Sequence, residues 1–104
     1  STPGGRTLKQ QIKSGLDTED EWTFFKHHFE EVHPDFFKKL CSIHPNLSEN
    51  ELRLCAYVRT GMETKQIAQM LSVLPETINT GRYRIRKKMQ LGQDVTLENY
   101  LRDI

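Results

Sequence analysis

Apolar residues recur along this chain at three- and four-residue spacing, the period of helices with one inward face, and strand signals are absent. Leu8 and Ile12 mark a weak helix from Arg6 to Ser14, with Gly15 as its stop. Thr18-Glu19-Asp20-Glu21 is a capping-box pattern, and its acidic residues suit a helix start. Trp22, Phe25, Phe29 and Val32 follow as one aromatic face. Pro34 then opens a further helix in which Phe36, Phe37, Leu40, Cys41 and Ile43 are apolar. These two helices hold all five phenylalanines and the tryptophan, and aromatic side chains bury large areas. They are expected to anchor the N-terminal half as core, since nothing supports a ligand pocket.

After the break at His44-Pro45-Asn46, Ser48-Glu49-Asn50-Glu51 is a second capping box, with Leu47 placed as its hydrophobic staple. Leu52, Leu54, Cys55 and Val58 supply the inward positions of that helix, and Gly61 ends it. A short helix from about Thr64 to Leu71 carries Ile67, Ala68 and Leu71. The turn Ser72-Val73-Leu74 leads to Pro75, a residue suited to a first helical turn. Helix, short helix, three-residue turn, helix is the order of a helix-turn-helix. Ala68 falls where two such helices cross closely and a small residue is required. Thr96 can cap a last helix whose Leu97, Tyr100, Leu101 and Ile104 share one face. The fold class is all-α.

The helix from Pro75 carries the most distinctive chemistry. Ile78, Ile85 and Met89 form a narrow apolar stripe, and Glu76, Thr80, Tyr83, Arg84 and Lys87 lie opposite, with Asn79 on the flank. Five of the seven residues from Arg82 to Lys88 are basic. The helix macrodipole favours cations at a C-terminus by about 0.3–1 kcal/mol each, which accounts for one or two of them. A basic helix with short polar side chains towards its N-terminal end is what a DNA major groove accepts. A solvated helix face is the bland alternative, and the elements that precede this run weigh against it.

Charge distribution sharpens that picture. The net charge is only +1, but residues 1–45 carry −1, residues 46–92 carry +4 and residues 93–104 carry −2. A chain of 104 residues suits one core built without disulfide or metal. Cys41 and Cys55 read as buried free thiols of a reducing, cytoplasmic compartment. No apolar run reaches the roughly 18 residues of a membrane span, so no membrane contact is expected. His27, His28, His33 and His44 show no metal-ligand spacing, so neither a metal nor another cofactor is expected. No nucleophile motif and no phosphate loop occurs, which argues against an enzyme. The linker-like Ser-Thr-Pro-Gly-Gly start suggests a fragment of something longer.

The segment Leu47-Ser48-Glu49-Asn50-Glu51-Leu52-Arg53-Leu54, then Gly61, Lys65-Gln66-Ile67-Ala68, Thr77-Ile78, and Arg82 through Met89, resembles the LuxR-type helix-turn-helix. It keeps that family's spacing over about 45 residues. The upstream part, with Phe29-Glu30-Glu31-Val32-His33-Pro34-Asp35-Phe36-Phe37, resembles a bacterial branch in which this domain follows a helical segment behind a sensor with propeller and triple-tyrosine domains. The implied organisation is residues 1–16 as linker and N-terminal helical segment, 17–45 as aromatic-rich helical extension, and 46–104 as the helix-turn-helix domain.

The resemblance implies that Asn79, Thr80 and Tyr83 read bases, while Thr64, Lys65, Thr77, Arg84, Arg86 and Lys87 contact the DNA backbone. Leu97, Tyr100, Leu101 and Ile104 are a possible dimer face, or core if they dock on the aromatic helices. The family usually has serine at the positions of Glu63 and Leu74, so each lost cap is expected to cost on the order of 1 kcal/mol. Gln66 replaces the usual glutamate, Gly81 weakens the recognition helix, and Glu76 brings a negative charge near the phosphates. The expected function is sequence-specific binding of double-stranded DNA as the output domain of a bacterial transcription regulator, without catalysis. A homodimer in the full-length protein and RNA polymerase are further expected partners. The alternatives are a helical interaction module that has lost DNA binding, and a sigma-factor-like promoter-reading domain.

Overall fold

The computed structural model describes residues 6–104, with side chains described from residue 19. The linker-like residues 1–5 and the side chains of Leu8, Ile12 and Thr18 lie outside the described residues. The chain divides into two units, Ser1–Val32 and His33–Ile104. No strand occurs among the described residues, and the fold is all-α as expected.

The first unit contributes α1, Arg6–Val32, a continuous helix of 27 residues. Gly15 does not stop it, and Thr18 lies inside it instead of starting a second helix. The physical reason is that no proline interrupts residues 6–32. A single internal glycine costs only about 0.5–1 kcal/mol against alanine, which its neighbours can offset. Trp22 and Phe29 are buried, and Phe25 bridges them with ring centroids 5.6 and 5.5 Å away. Val32, expected on that face, is exposed.

The second unit holds α2 (Phe36–Ile43), α3 (Glu49–Arg59), α4 (Thr64–Leu71), α5 (Pro75–Met89) and α6 (Leu97–Arg102). Pro34 precedes α2 instead of opening it, because the chain turns first, with the Phe36 N–H donating to the His33 carbonyl at 3.2 Å. Phe36 and Leu40, four residues apart, are the buried stripe of this two-turn helix. Cys41 falls about 100° round from Leu40 and is exposed, so the expectation of two buried thiols holds for Cys55 alone. Ile43 shares the face of Phe36 and Leu40 but is the last residue of the helix, and it is exposed.

α3 is the hub, packed against α4, α5 and α6. Its start is the expected capping box: the Glu51 N–H donates to Ser48 Oγ at 3.2 Å, and the Ser48 N–H donates to Glu51 Oε1 at 2.8 Å. Its end is a glycine in the left-handed region, Gly61 at φ 89, with the Met62 N–H reaching the Tyr57 carbonyl and the Gly61 N–H the Val58 carbonyl. Five consecutive residues, Leu54 to Val58, are buried. The amphipathic pattern assigned only three of them inward and added Leu52, which is half-buried. Three helices surround α3, so its buried surface exceeds one stripe. Burial pushes the Cys55 thiol up to about 12, with the charge of Glu51 adding to it, which leaves the thiol inert.

α4, the turn and α5 fall on the residues expected for them. Ala68 is buried, and α4 packs against α5. Leu97 and Leu101 of α6 are fully buried within the monomer, where α6 lies on α3. The Tyr100 hydroxyl is hydrogen-bonded to His44 Nε2 at 2.6 Å. Two of the four possible dimer-face residues are therefore core, and Tyr100 is tied down beside them. Burial lowers the pKa of His44, and His33 is lowered by burial and by the nearby charge of Arg59.

Candidate nucleic-acid interface

Pro75 begins α5 after Leu74, whose side chain makes no cap bond and is exposed. Ile78, Ile85 and Met89 are buried, so the helix is seated by that stripe and cannot roll without exposing it. The opposite face is thereby fixed towards solvent: Glu76, Thr77, Asn79, Thr80, Tyr83, Arg84 and Lys87 are all exposed. Lys87 Nζ lies 5.5 Å from the centroid of the Tyr83 ring, a cation–π distance. Lys65 is exposed and Thr64 half-buried at the start of α4.

The basic run divides into two sets. Arg82 forms a salt bridge to Glu98 of α6. Arg86 donates to the Val95 carbonyl and, at 3.0 Å, to the Gly92 carbonyl, which fastens the loop between α5 and α6. Lys88 donates to Glu51 Oε1 at 2.7 Å and to the Asn46 carbonyl at 3.1 Å, tying the end of α5 to the start of α3. Arg84 and Lys87 remain, and neither makes a hydrogen bond or ion pair among the described residues. Of the six residues expected on the DNA backbone, Arg86 is thus also a tertiary fastener.

Partial burial pushes the Glu51 carboxyl up, but hydrogen bonds from Lys88 and the Ser48 backbone outweigh that and hold it below its usual range. The Glu98 carboxyl is treated in the same way by Arg82. These fastening roles were not legible in the charge pattern, because each partner lies on another element.

Two departures from the family pattern have local explanations. Gln66 Oε1 accepts from the Glu63 N–H at 3.0 Å, supplying the glutamine half of a capping box at α4. A Cβ at Gly81 would stand 2.9 Å from Leu54 Cδ2, so glycine there permits the close approach of α5 to α3.

A short supporting helix, a tight turn and a longer helix presenting a polar, cationic face define a helix-turn-helix DNA-binding domain. Residues 45–101 match the family model described as bacterial regulatory proteins, luxR family, and the chain belongs to that family. The family is a DNA-binding domain without enzymatic activity. The response regulator UvrY of Escherichia coli (strain K12) and that of Shigella flexneri are each 35% identical over 52 residues, a stretch of 50% of this chain and 24% of those proteins. The chain thus spans about a quarter of the length of these curated relatives. No solved structure matches it. Among the described residues, no helix is long and apolar enough to cross a membrane, and no cluster of three metal-ligating side chains occurs.

Proposed function

We propose that the chain is the output domain of a bacterial transcription regulator, and that α5 lies in the major groove of double-stranded DNA. In this reading Asn79, Thr80 and Tyr83 read base edges, and Thr64, Lys65, Thr77, Arg84, Arg86 and Lys87 hold the phosphates. The observation that carries it is the division of α5, whose buried stripe leaves one exposed face with its two free cations. The likeness to UvrY, a response regulator, supports the regulatory role. The upstream resemblance supports a sensor with triple-tyrosine and propeller domains in the full-length protein. One helix reads only a few base pairs, so the working form is a homodimer. Its main contacts lie outside α6, whose Leu97 and Leu101 are buried within the monomer.

Salt titration of duplex binding tests the reading. Four cations, Lys65, Arg84, Arg86 and Lys87, are proposed on the phosphates, so the log–log slope should be roughly −3 to −4 per domain at about 0.9 per phosphate. A flat response, or no binding near 50 mM salt, would overturn it.

A further inference from the structure

Glu76 stands on the exposed face of α5, where a carboxylate is out of place if the helix does no more than meet phosphates. Its position on the helical wheel is about 180° from the buried Ile85, so it lies at the centre of the polar face with Thr80, Tyr83 and Lys87. No internal partner accounts for it. The residues at i+3 and i+4 are Asn79 and Thr80, so no cation of its own helix stands a turn away. Arg84 is eight residues further on, about 12 Å along the axis, and Lys87 about 16 Å. The other cations of the run are spent elsewhere, on Glu98, Glu51 and loop carbonyls. Among the described residues Glu76 makes no hydrogen bond or ion pair. A charge in the first turn does favour the helix dipole, but that effect is satisfied by any first-turn position and does not require this face.

A carboxylate accepts hydrogen bonds and donates none. In the major groove guanine presents only acceptors (N7 and O6), thymine an acceptor and a methyl group, and adenine an N6 amino donor beside the N7 acceptor that repels a carboxylate, whereas cytosine presents its N4 amino donor with no acceptor beside it. We propose that Glu76 is a specificity-determining residue that accepts a hydrogen bond from cytosine N4 in the DNA site. The inference rests on α5 entering the major groove as proposed above. The negative charge then lowers affinity for sequences lacking that donor, where it meets phosphates and acceptor edges unrelieved. It therefore acts by exclusion as much as by attraction.

The test is selection of sites from a randomised duplex pool at about 50 mM salt, followed by competition among single-base-pair variants of the selected site. It compares the parent chain with Glu76→Ala, Glu76→Gln and Asn79→Ala. The expected result is one base pair in each half-site at which the parent prefers cytosine by roughly 5- to 150-fold. That preference should vanish in Glu76→Ala and survive in Asn79→Ala. In Glu76→Gln it should move towards adenine, whose N6 and N7 suit a glutamine amide. A parent that selects a site whose preferences are unchanged in both Glu76 variants overturns the cytosine contact while leaving the DNA-reading function standing. Tighter binding of Glu76→Ala to every sequence by one common factor overturns it in the same way. A parent that selects no sequence overturns both together.

Discussion

α3 and α5 pack against each other, yet the core takes five consecutive residues from α3 and a single stripe from α5. α3 is capped reciprocally by Ser48 and Glu51 at its start and closed by a glycine at its end. α5 begins at an uncapped leucine and ends at Gln90, a non-glycine residue with φ 57. The same fold therefore holds one helix by its own ends and by packing against three neighbours. The other is held by one apolar seam and by side chains that reach to its neighbours. A helix that must present a face to a partner can bury only the other one. The ion pairs of Arg82 and Lys88 supply the anchorage that extra burial would otherwise give.

Two tyrosines bring this contrast to its largest effect. Tyr57 of α3 is 1% exposed and Tyr83 of α5 is 61% exposed. Tyr57→Ala should destabilise the domain by about 3–5 kcal/mol, seen as a lower denaturant midpoint. Tyr83→Ala should change stability by under about 0.5 kcal/mol and lower discrimination between cognate and random duplex. Equal stability losses would mean that the face of α5 is not free.

Within α5 the cations should separate by the same logic. Arg84→Ala and Lys87→Ala should each reduce the salt slope by about 1 and leave the melting temperature unchanged. Arg82→Ala and Lys88→Ala remove partly exposed pairs and should cost at most about 1 kcal/mol of stability. Thermal melts and salt titrations on the same four variants decide the matter, and one common pattern would erase the division.

Stability should also depend on pH in two windows. The folded carboxyl pKa values of Glu51 and Glu98 lie below their unfolded values, so their contribution is complete above the unfolded pKa, about 4.3, and is lost as pH falls through the folded value. His44 and His33 also have lowered folded values, so their contribution is complete above 6.5 and declines as pH falls below it. Melting temperature should therefore drop from pH 7 to pH 5, then again in acid. His44→Gln should flatten the first limb, and an unchanged limb would assign it to His33.

The smallest effect tests the helix ends. Gly61→Ala at φ 89 should destabilise by about 1 kcal/mol. Gln90→Gly should stabilise by up to about 1 kcal/mol, because glycine has no Cβ to strain in the left-handed region. Opposite signs in chemical denaturation would support the contrast between the two ends.

Much of this protein was legible in its sequence because the signals are local. Ser48 with Glu51, Thr96 before α6, and Pro75 ahead of Ile78, Ile85 and Met89 each act within a single helix, and the helices they start are where expected. The polar face of α5 follows from the same periodicity, since a buried stripe fixes what lies opposite. What only the tertiary structure decided depends on residues far apart in the chain. Arg82 meets Glu98, Lys88 meets Glu51, His44 meets Tyr100, and Gly81 makes room for Leu54. The exposure of Cys41 and the burial of Leu97 and Leu101 belong with these, because a helical stripe shows which residues share a face but not which faces are covered. A run of five cations reads as one patch in sequence. Folding divides it, because a charged side chain within reach of a carboxylate or a carbonyl takes that partner, as Arg82, Arg86 and Lys88 do, while Arg84 and Lys87 have none in reach among the described residues.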